Sequence, residues 1–184
     1  TAVRWLAERA LSRGMRVLWL AHRRELLQHA AAEFHRCAGL AGVDKLRVRI
    51  VSGGHCASVQ IDPADHVVVA SVASLARRRD VREALLADPR LFVVIDEAHH
   101  APAKTYRDII GQLQRQKRFR VLGLTATPTR TVEDERSELA RLFGGRLIYR
   151  VDMRRLVGRG TLSRPVPRTV PTRADVVAEL TEED

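Results

Sequence analysis

The chain has 184 residues, enough for one ordinary domain, and its 45% apolar and 4% aromatic content gives a core built mostly of Ala, Val and Leu. Its formal charge is +10 with a pI near 11.0, nearly all from arginine because only Lys45, Lys104 and Lys117 are lysines. A GC-rich genome can explain Arg over Lys but not the net excess, which points to a polyanionic partner, nucleic acid before membrane. No run approaches the ~18 apolar residues of a spanning helix, and no secretory pattern is seen. Cys37 and Cys56 lack C-x-x-C spacing and read as reduced thiols of a cytoplasmic protein.

In chain order the apolar pattern alternates between two periods. "AVRWLAERALSRG" carries Val3, Leu6, Ala10 and Leu11 at helical spacing and stops at Gly14, and "RVLWLAH" is a short continuous apolar strand. "RRELLQHAAAEFHRCAG" puts Leu26, Leu27, Ala30, Phe34 and Cys37 on one helical face, "LRVRIVSGG" is strand-like, and "HVVVASV" is a buried strand followed by a helix over 74–87. "LFVVI" is a strand, "KTYRDIIGQLQRQ" a helix with Tyr106, Ile109, Ile110 and Leu113 inward, and "RVLGLTATP" a strand ending at a proline. "EDERSELARLFGG" reads as a helix, "RLIYRV" as a strand and "MRRLVGRG" as a last helical turn or two. Fully apolar strands separated by amphipathic helices predict an α/β fold with a buried parallel sheet. Residues 1–150 form that domain; the stretch 151–184, with Pro165, Pro167 and Pro171 and an acidic end, reads as a linker.

In open α/β sheets ligands bind beyond the carboxyl ends of the strands. Asp96 and Glu97 follow "LFVVI" and so lie at that edge. A first carboxylate that holds Mg²⁺ through water and a second that polarises the attacking water suit nucleotide hydrolysis. The bland alternative is an acidic strand end capping the next helix. His99 and His100 beside these carboxylates also permit a His/carboxylate metallohydrolase, although H-x-x-x-H spacing is missing. His22, His29 and His35 read as ordinary surface or core imidazoles.

"VVIDEAHH" resembles motif II, the Walker B box, of superfamily-two helicases in its DEAH form. "LGLTATPTR" is similar to motif III, "LAHRRELLQ" to motif Ia, "VSGG" to the glycine motif after it, and "VVASVASL" to motif Ib. The five matches occur in order over residues 15–130. The "DEAHH" and "LTATPTR" spellings resemble most the DNA-directed branch that contains type III restriction subunits. The resemblance implies a RecA-like sheet of the P-loop NTPase fold, truncated at its N-terminus, and an ATP-dependent helicase or translocase using ATP and Mg²⁺. It implies that Asp96 coordinates Mg²⁺, Glu97 activates water, and His99 reports on motif III. Thr125 and Thr127 would couple the ATP site to nucleic acid, while Arg23, Gly53, Gly54 and Ser71 would lie along its backbone. Arginine and free amides at glycines are what phosphates need. DNA is implied in preference to RNA, and a nuclease or methyltransferase subunit is compatible as a further partner. In motif Ia, Ala21–His22 stands where Pro–Thr is commoner.

No G-x-x-x-x-G-K-[ST] occurs in these residues. The expectation is that Thr1 is, or directly follows, the last residue of such a loop and belongs to the nucleotide site. It extends to a second lobe outside the chain and to negligible hydrolysis by these residues alone. The rival from another class is a degenerate RecA-like module that binds nucleic acid or a partner without hydrolysis.

Overall fold

The computed structural model describes residues 2–53, 60–101, 103–115, 120–126 and 140–166, and the chain divides into two units, one reaching Arg146 and one starting at Leu147. The first unit holds a five-stranded sheet: β1 (Arg16–Ala21), β2 (Val48–Val51), β3 (Val67–Ser71), β4 (Leu91–Ile95) and β5 (Val121–Gly123). All pairings are parallel, and the spatial order is β2-β3-β1-β4-β5. Helices named among the described residues of this unit are α1 (Ala2–Arg9), α2 (Arg24–Arg36), α3 (Val72–Arg77), α4 (Arg79–Leu86) and α5 (Lys104–Gln114).

Every residue of β1 is buried, as expected of a central parallel strand covered on both faces. Strand alternation sorts the side chains into two cores. Leu18, Leu20, Val68, Ala70, Val93 and Ile95 face α3, α4 and α5. Val17, Trp19, Ala21, Val67, Val69 and Val94 face α1 and α2, and Trp19 meets Phe34 of α2 edge-on at 5.8 Å. Helix α2 buries Leu27, Ala30, Ala31 and Phe34 as one stripe, with Glu25 in its first turn and His35 and Arg36 in its last, both favourable to the helix dipole.

The end of the sheet away from the candidate site is held by a buried arginine. Arg16 pairs with Asp88 at 3.2 Å, with only 7% and 8% of the side chains exposed, and donates to the carbonyls of Asp65 (3.0 Å) and Pro63 (2.7 Å). Asp88 also accepts from the backbone N–H of Arg90 at 2.9 Å and from its guanidinium at 3.0 Å. Burial alone would raise the Asp88 carboxyl, but the hydrogen bonds from Arg90 and the charges of Arg16 and Arg90 hold it below its usual range.

Three elements differ from the sequence reading. The first helix ends at Arg9, and a separate 3-10 turn (Leu11–Arg13) carries the chain to Gly14, whose φ of 71° suits glycine. The helix expected over 74–87 starts at Val72, capped by Ser71, and breaks at Arg78, whose φ and ψ of −110° and 82° are not helical. The break is stabilised locally: the N–H of Arg78 donates to Leu75 O and the Arg82 guanidinium to Ala76 O at 3.2 Å, satisfying carbonyls that α3 leaves open. The strand expected at "RLIYRV" does not form. Residues 146–150 have no regular structure, and Leu147, Ile148 and Tyr149 are 68%, 78% and 75% exposed. A strand is made by its neighbour, and no described strand pairs with this segment. The helix expected at "EDERSELARLFGG" falls mostly outside the described residues; 140–142 are helical.

The second unit contains α6 (Met153–Gly158), whose N-terminus is capped by Asp152 accepting from the N–H of Arg154 at 2.7 Å. Among the described residues no helix is long and apolar enough to cross a membrane.

Candidate active site at the carboxyl ends of β1 and β4

Strands β1 and β4 are neighbours, but the chain leaves β1 toward β2 and leaves β4 toward β5, on opposite sides. The reversal makes their carboxyl ends a topological switch point, where a crevice opens for ligands. Asp96 stands at this point, its N–H donating to Leu20 O at 2.9 Å and so extending the β1–β4 ladder by one residue.

The backbone then turns sharply. Glu97 has φ 50° and ψ 52° and is the only non-glycine with positive φ among the described residues. A left-handed glutamate costs roughly 1–3 kcal/mol and persists only where its surroundings impose it. Here they do. Its N–H donates to Asp96 Oδ1 at 3.0 Å, and the turn Ala98–His100 closes with the N–H of His100 donating to Glu97 O at 3.0 Å. The chain after β5 clamps the same turn, with the N–H of Leu124 donating to Ile95 O at 2.9 Å and that of Ala98 to Leu124 O at 2.7 Å. His99 completes the clamp: its Nδ1 lies 3.2 Å from Glu97 Oε2 and 3.1 Å from Thr125 Oγ1. Gly123 is required by this approach, since a Cβ there would lie 2.8 Å from Phe143 Cζ and 2.9 Å from Ala98 Cβ.

Burial raises the Asp96 carboxyl above its ordinary range and the charge of Glu97 adds to this, while the Glu97 N–H, the Trp19 indole and His22 pull against it without cancelling it. The indole N–H of Trp19 is buried and, among the described residues, meets no partner at full hydrogen-bond geometry. The Tyr106 phenol, pushed up to about 12 by burial and then by the charge of Asp96, is also buried, with no hydroxyl partner among the described residues. Two adjacent carboxylates, one of them half-buried and reluctant to ionise, fit a hard oxygen-preferring cation shared with phosphate and water. Among the described residues no three His, Cys, Asp or Glu side chains are placed to hold a metal by themselves.

The residues read as backbone-binding fall in two places. Arg23 is exposed at the N-cap of α2, immediately beyond the end of β1. Gly53, beyond β2, and Ser71, the last residue of β3, both approach Ser74: Ser71 Oγ accepts from the N–H of Ser74 at 3.2 Å and donates to Ser74 Oγ at 2.7 Å, and a Cβ on Gly53 would sit 3.7 Å from that Ser74 Oγ and 3.6 Å from Arg77 Nη2. Ser71 is thus a helix cap, with a hydroxyl already engaged. Thr1, Gly54 and Thr127 lie outside the described residues.

Sequence reasoning took His22 for an ordinary imidazole and considered His100 only as a metal ligand, not the contact between them. Their rings meet at 4.6 Å, and His100 in turn lies 4.2 Å from His99. Trp19, Tyr106 and Gly123 were also read only as core or strand residues. The signal that could have found them is position, since Trp19 lies two residues before the end of β1 and Gly123 two before Thr125.

A family model described as "Type III restriction enzyme, res subunit" matches residues 2–130. Among curated proteins the chain is similar to the ATP-dependent DNA helicase mph1 of Aspergillus oryzae, 30% identical over 128 residues, covering 67% of this chain and 11% of that protein. It is similarly related to the ATP-dependent DNA helicase MPH1 of Coccidioides immitis, 32% identical over 122 residues, covering 64% and 10%. The chain therefore spans about a tenth of the length of these relatives. Among solved structures, the Pyrococcus furiosus Hef helicase domain superposes with a TM-score of 0.52 at 23% identity, covering 71% of this chain and 27% of that one. The S. cerevisiae Dbp5 bound to RNA and ADP BeF3 superposes with a TM-score of 0.55 at 15% identity, covering 76% and 34%. These superpositions establish a RecA-like fold.

Proposed function

Because the chain belongs to the type III restriction enzyme res-subunit family and is related to ATP-dependent DNA helicases, we propose that it forms the part of a DNA helicase or translocase lobe that hydrolyses ATP and senses DNA. The observation that carries this reading is the clamp at the end of β4, where one turn presents Asp96 and Glu97 and is tied through His99 and Leu124 to the chain leaving β5.

Mg-ATP, when bound, supplies the scissile phosphoanhydride and the neutralisation of its charge. Asp96 would hold the cation at the strand end, and the Glu97 N–H engages its Oδ1 and so leaves Oδ2 for that role. Glu97 accepts the proton of the attacking water. Its left-handed backbone turns the chain sharply at the strand end, and His99 contacts its carboxylate at 3.2 Å. His99 also touches Thr125, so a shift of the chain after β5 moves the base that activates water. Arg23 and the Gly53 turn provide charge and open backbone for DNA phosphates.

The test is ATP hydrolysis by the full-length protein with and without DNA and Mg²⁺. The reading expects Mg²⁺-dependent hydrolysis stimulated by DNA. DNA binding with no hydrolysis under any of these conditions would replace it with a non-hydrolysing binding module.

A further inference from the structure

We infer that His22 is a positioning residue that links DNA engagement to the hydrolytic turn through a stack of imidazoles. The inference rests on the function proposed above and adds a route that motif III does not contain.

His22 lies between the end of β1 and the N-cap of α2, next to the exposed Arg23. Its own ring is exposed, yet it does not project freely, because the imidazole of His100 meets it at 4.6 Å with an interplanar angle of 64°. His100 lies 4.2 Å from His99. His99 Nδ1 then reaches Glu97 Oε2 at 3.2 Å. Three rings thus connect the loop that carries Arg23 to the carboxylate proposed to activate water, by direct contact at every step. Two backbone elements, the β1 exit and the Ala98–His100 turn, are joined by side chains 78 positions apart in sequence.

Displacement of Arg23 by a phosphate moves His22, because one peptide unit separates them. Because the exposed His22 ring rests against the half-buried His100, its movement changes that contact and, through His100, the turn that sets Glu97. The energetic requirement is small. A stimulation of about fivefold corresponds to the lower end of ordinary allosteric coupling. Edge-to-face packing does not need the ring nitrogens, so a phenyl ring at position 22 preserves the link while alanine removes it.

The experiment compares wild type, His22→Ala, His22→Phe, His100→Ala and the His22→Ala/His100→Ala double variant in the full-length protein. ATP hydrolysis is measured with and without saturating DNA, and DNA affinity is measured separately. The expected result is a loss of about fivefold or more in DNA stimulation of kcat for His22→Ala, with retention in His22→Phe. The double variant should lose no more than the worse single one. Equal stimulation in wild type and His22→Ala would overturn the inference while leaving the proposed function standing. So would a loss in His22→Ala explained wholly by weaker DNA binding or not rescued by His22→Phe. No DNA stimulation in wild type would overturn both.

Discussion

His99 and Thr125 lie 26 positions apart and meet at 3.1 Å, Nδ1 to Oγ1, across the gap between the turn after β4 and the chain after β5. The same Nδ1 faces Glu97 Oε2 at 3.2 Å. One imidazole nitrogen therefore senses both the carboxylate proposed to activate water and the segment proposed to couple it to DNA.

That shared contact makes the two residues a unit. Thr125→Val and His99→Ala should each lower DNA-stimulated kcat, and the double variant should lose far less than the product of the two effects. A double-mutant cycle should give an interaction energy of about 0.5–3 kcal/mol, as for residues in direct contact. Independent, multiplicative losses would show that the contact carries no coupling.

Gly123 sets how closely β5 approaches the turn. Gly123→Ala forces a methyl group to 2.8–2.9 Å from Phe143 and Ala98. The phenyl ring can rotate away; the Ala98 Cβ is fixed by its backbone. A loss of about 1–3 kcal/mol in stability is expected, typical of overpacking, together with a fall in kcat. Denaturant melts and steady-state kinetics check both. Phe143→Leu in the same background should recover only part of the stability.

Asp96 and Asp88 should move stability with pH in opposite directions. Asp96 is raised in the folded state, chiefly by burial, so the folded state holds its proton more tightly than the unfolded one. Its contribution is present at low pH and is lost as pH rises through the folded value. Asp96→Asn should therefore raise the Tm at neutral pH while abolishing hydrolysis, a separation that a merely structural aspartate would not give. Asp88 is lowered, so its contribution is present above the ordinary carboxyl range and disappears as pH falls through the folded value. Asp88→Asn should flatten the acid limb of the Tm profile.

Arg16 is the buried ion-pair partner of Asp88, whose carboxyl is lowered first by the hydrogen bonds from Arg90 and then by the charge of Arg16. Arg16→Ala leaves Asp88 with Arg90 alone and the buried carbonyls of Asp65 and Pro63 without their donor, and should cost about 1–3 kcal/mol, read by urea or thermal unfolding. It lies at the opposite end of β1 from Asp96, so kcat of the remaining folded protein should change little.

The sheet was legible in the sequence for a clear reason. Strands such as "RVLWLAH" and "LFVVI" are buried on both faces and have no polar alternation to mislead, and Asp96 marks the point where burial ends. Asp96 and Glu97 could be placed at the binding edge because they follow a strand end, whereas His99 and Thr125 stood out only through the resemblance of their motifs. Other features depend on partners distant in sequence. Nothing in "RVLWLAH" announces that Arg16 is buried, because its acceptors come from Pro63, Asp65 and Asp88. The stacking of His22 on His100 is equally invisible, since each imidazole taken alone resembles a surface residue. The break at Arg78 lies within three consecutive arginines with good helix propensity, and the alternative carbonyl donor that stabilises it is the side chain of Arg82. "RLIYRV" has a strand's composition but no described neighbour, and composition alone does not make a ladder.

The most direct measurement is ATP hydrolysis by a Glu97→Gln variant of the full-length protein, alongside ATP and DNA binding. The amide keeps the size and much of the hydrogen bonding of the carboxylate but cannot accept the proton of water. Hydrolysis is predicted to fall about 10²–10⁴-fold, the range expected for loss of a general base, with ATP and DNA still bound. A variant that hydrolyses ATP at a rate close to wild type would contradict the assignment of this strand-end turn as the hydrolytic site.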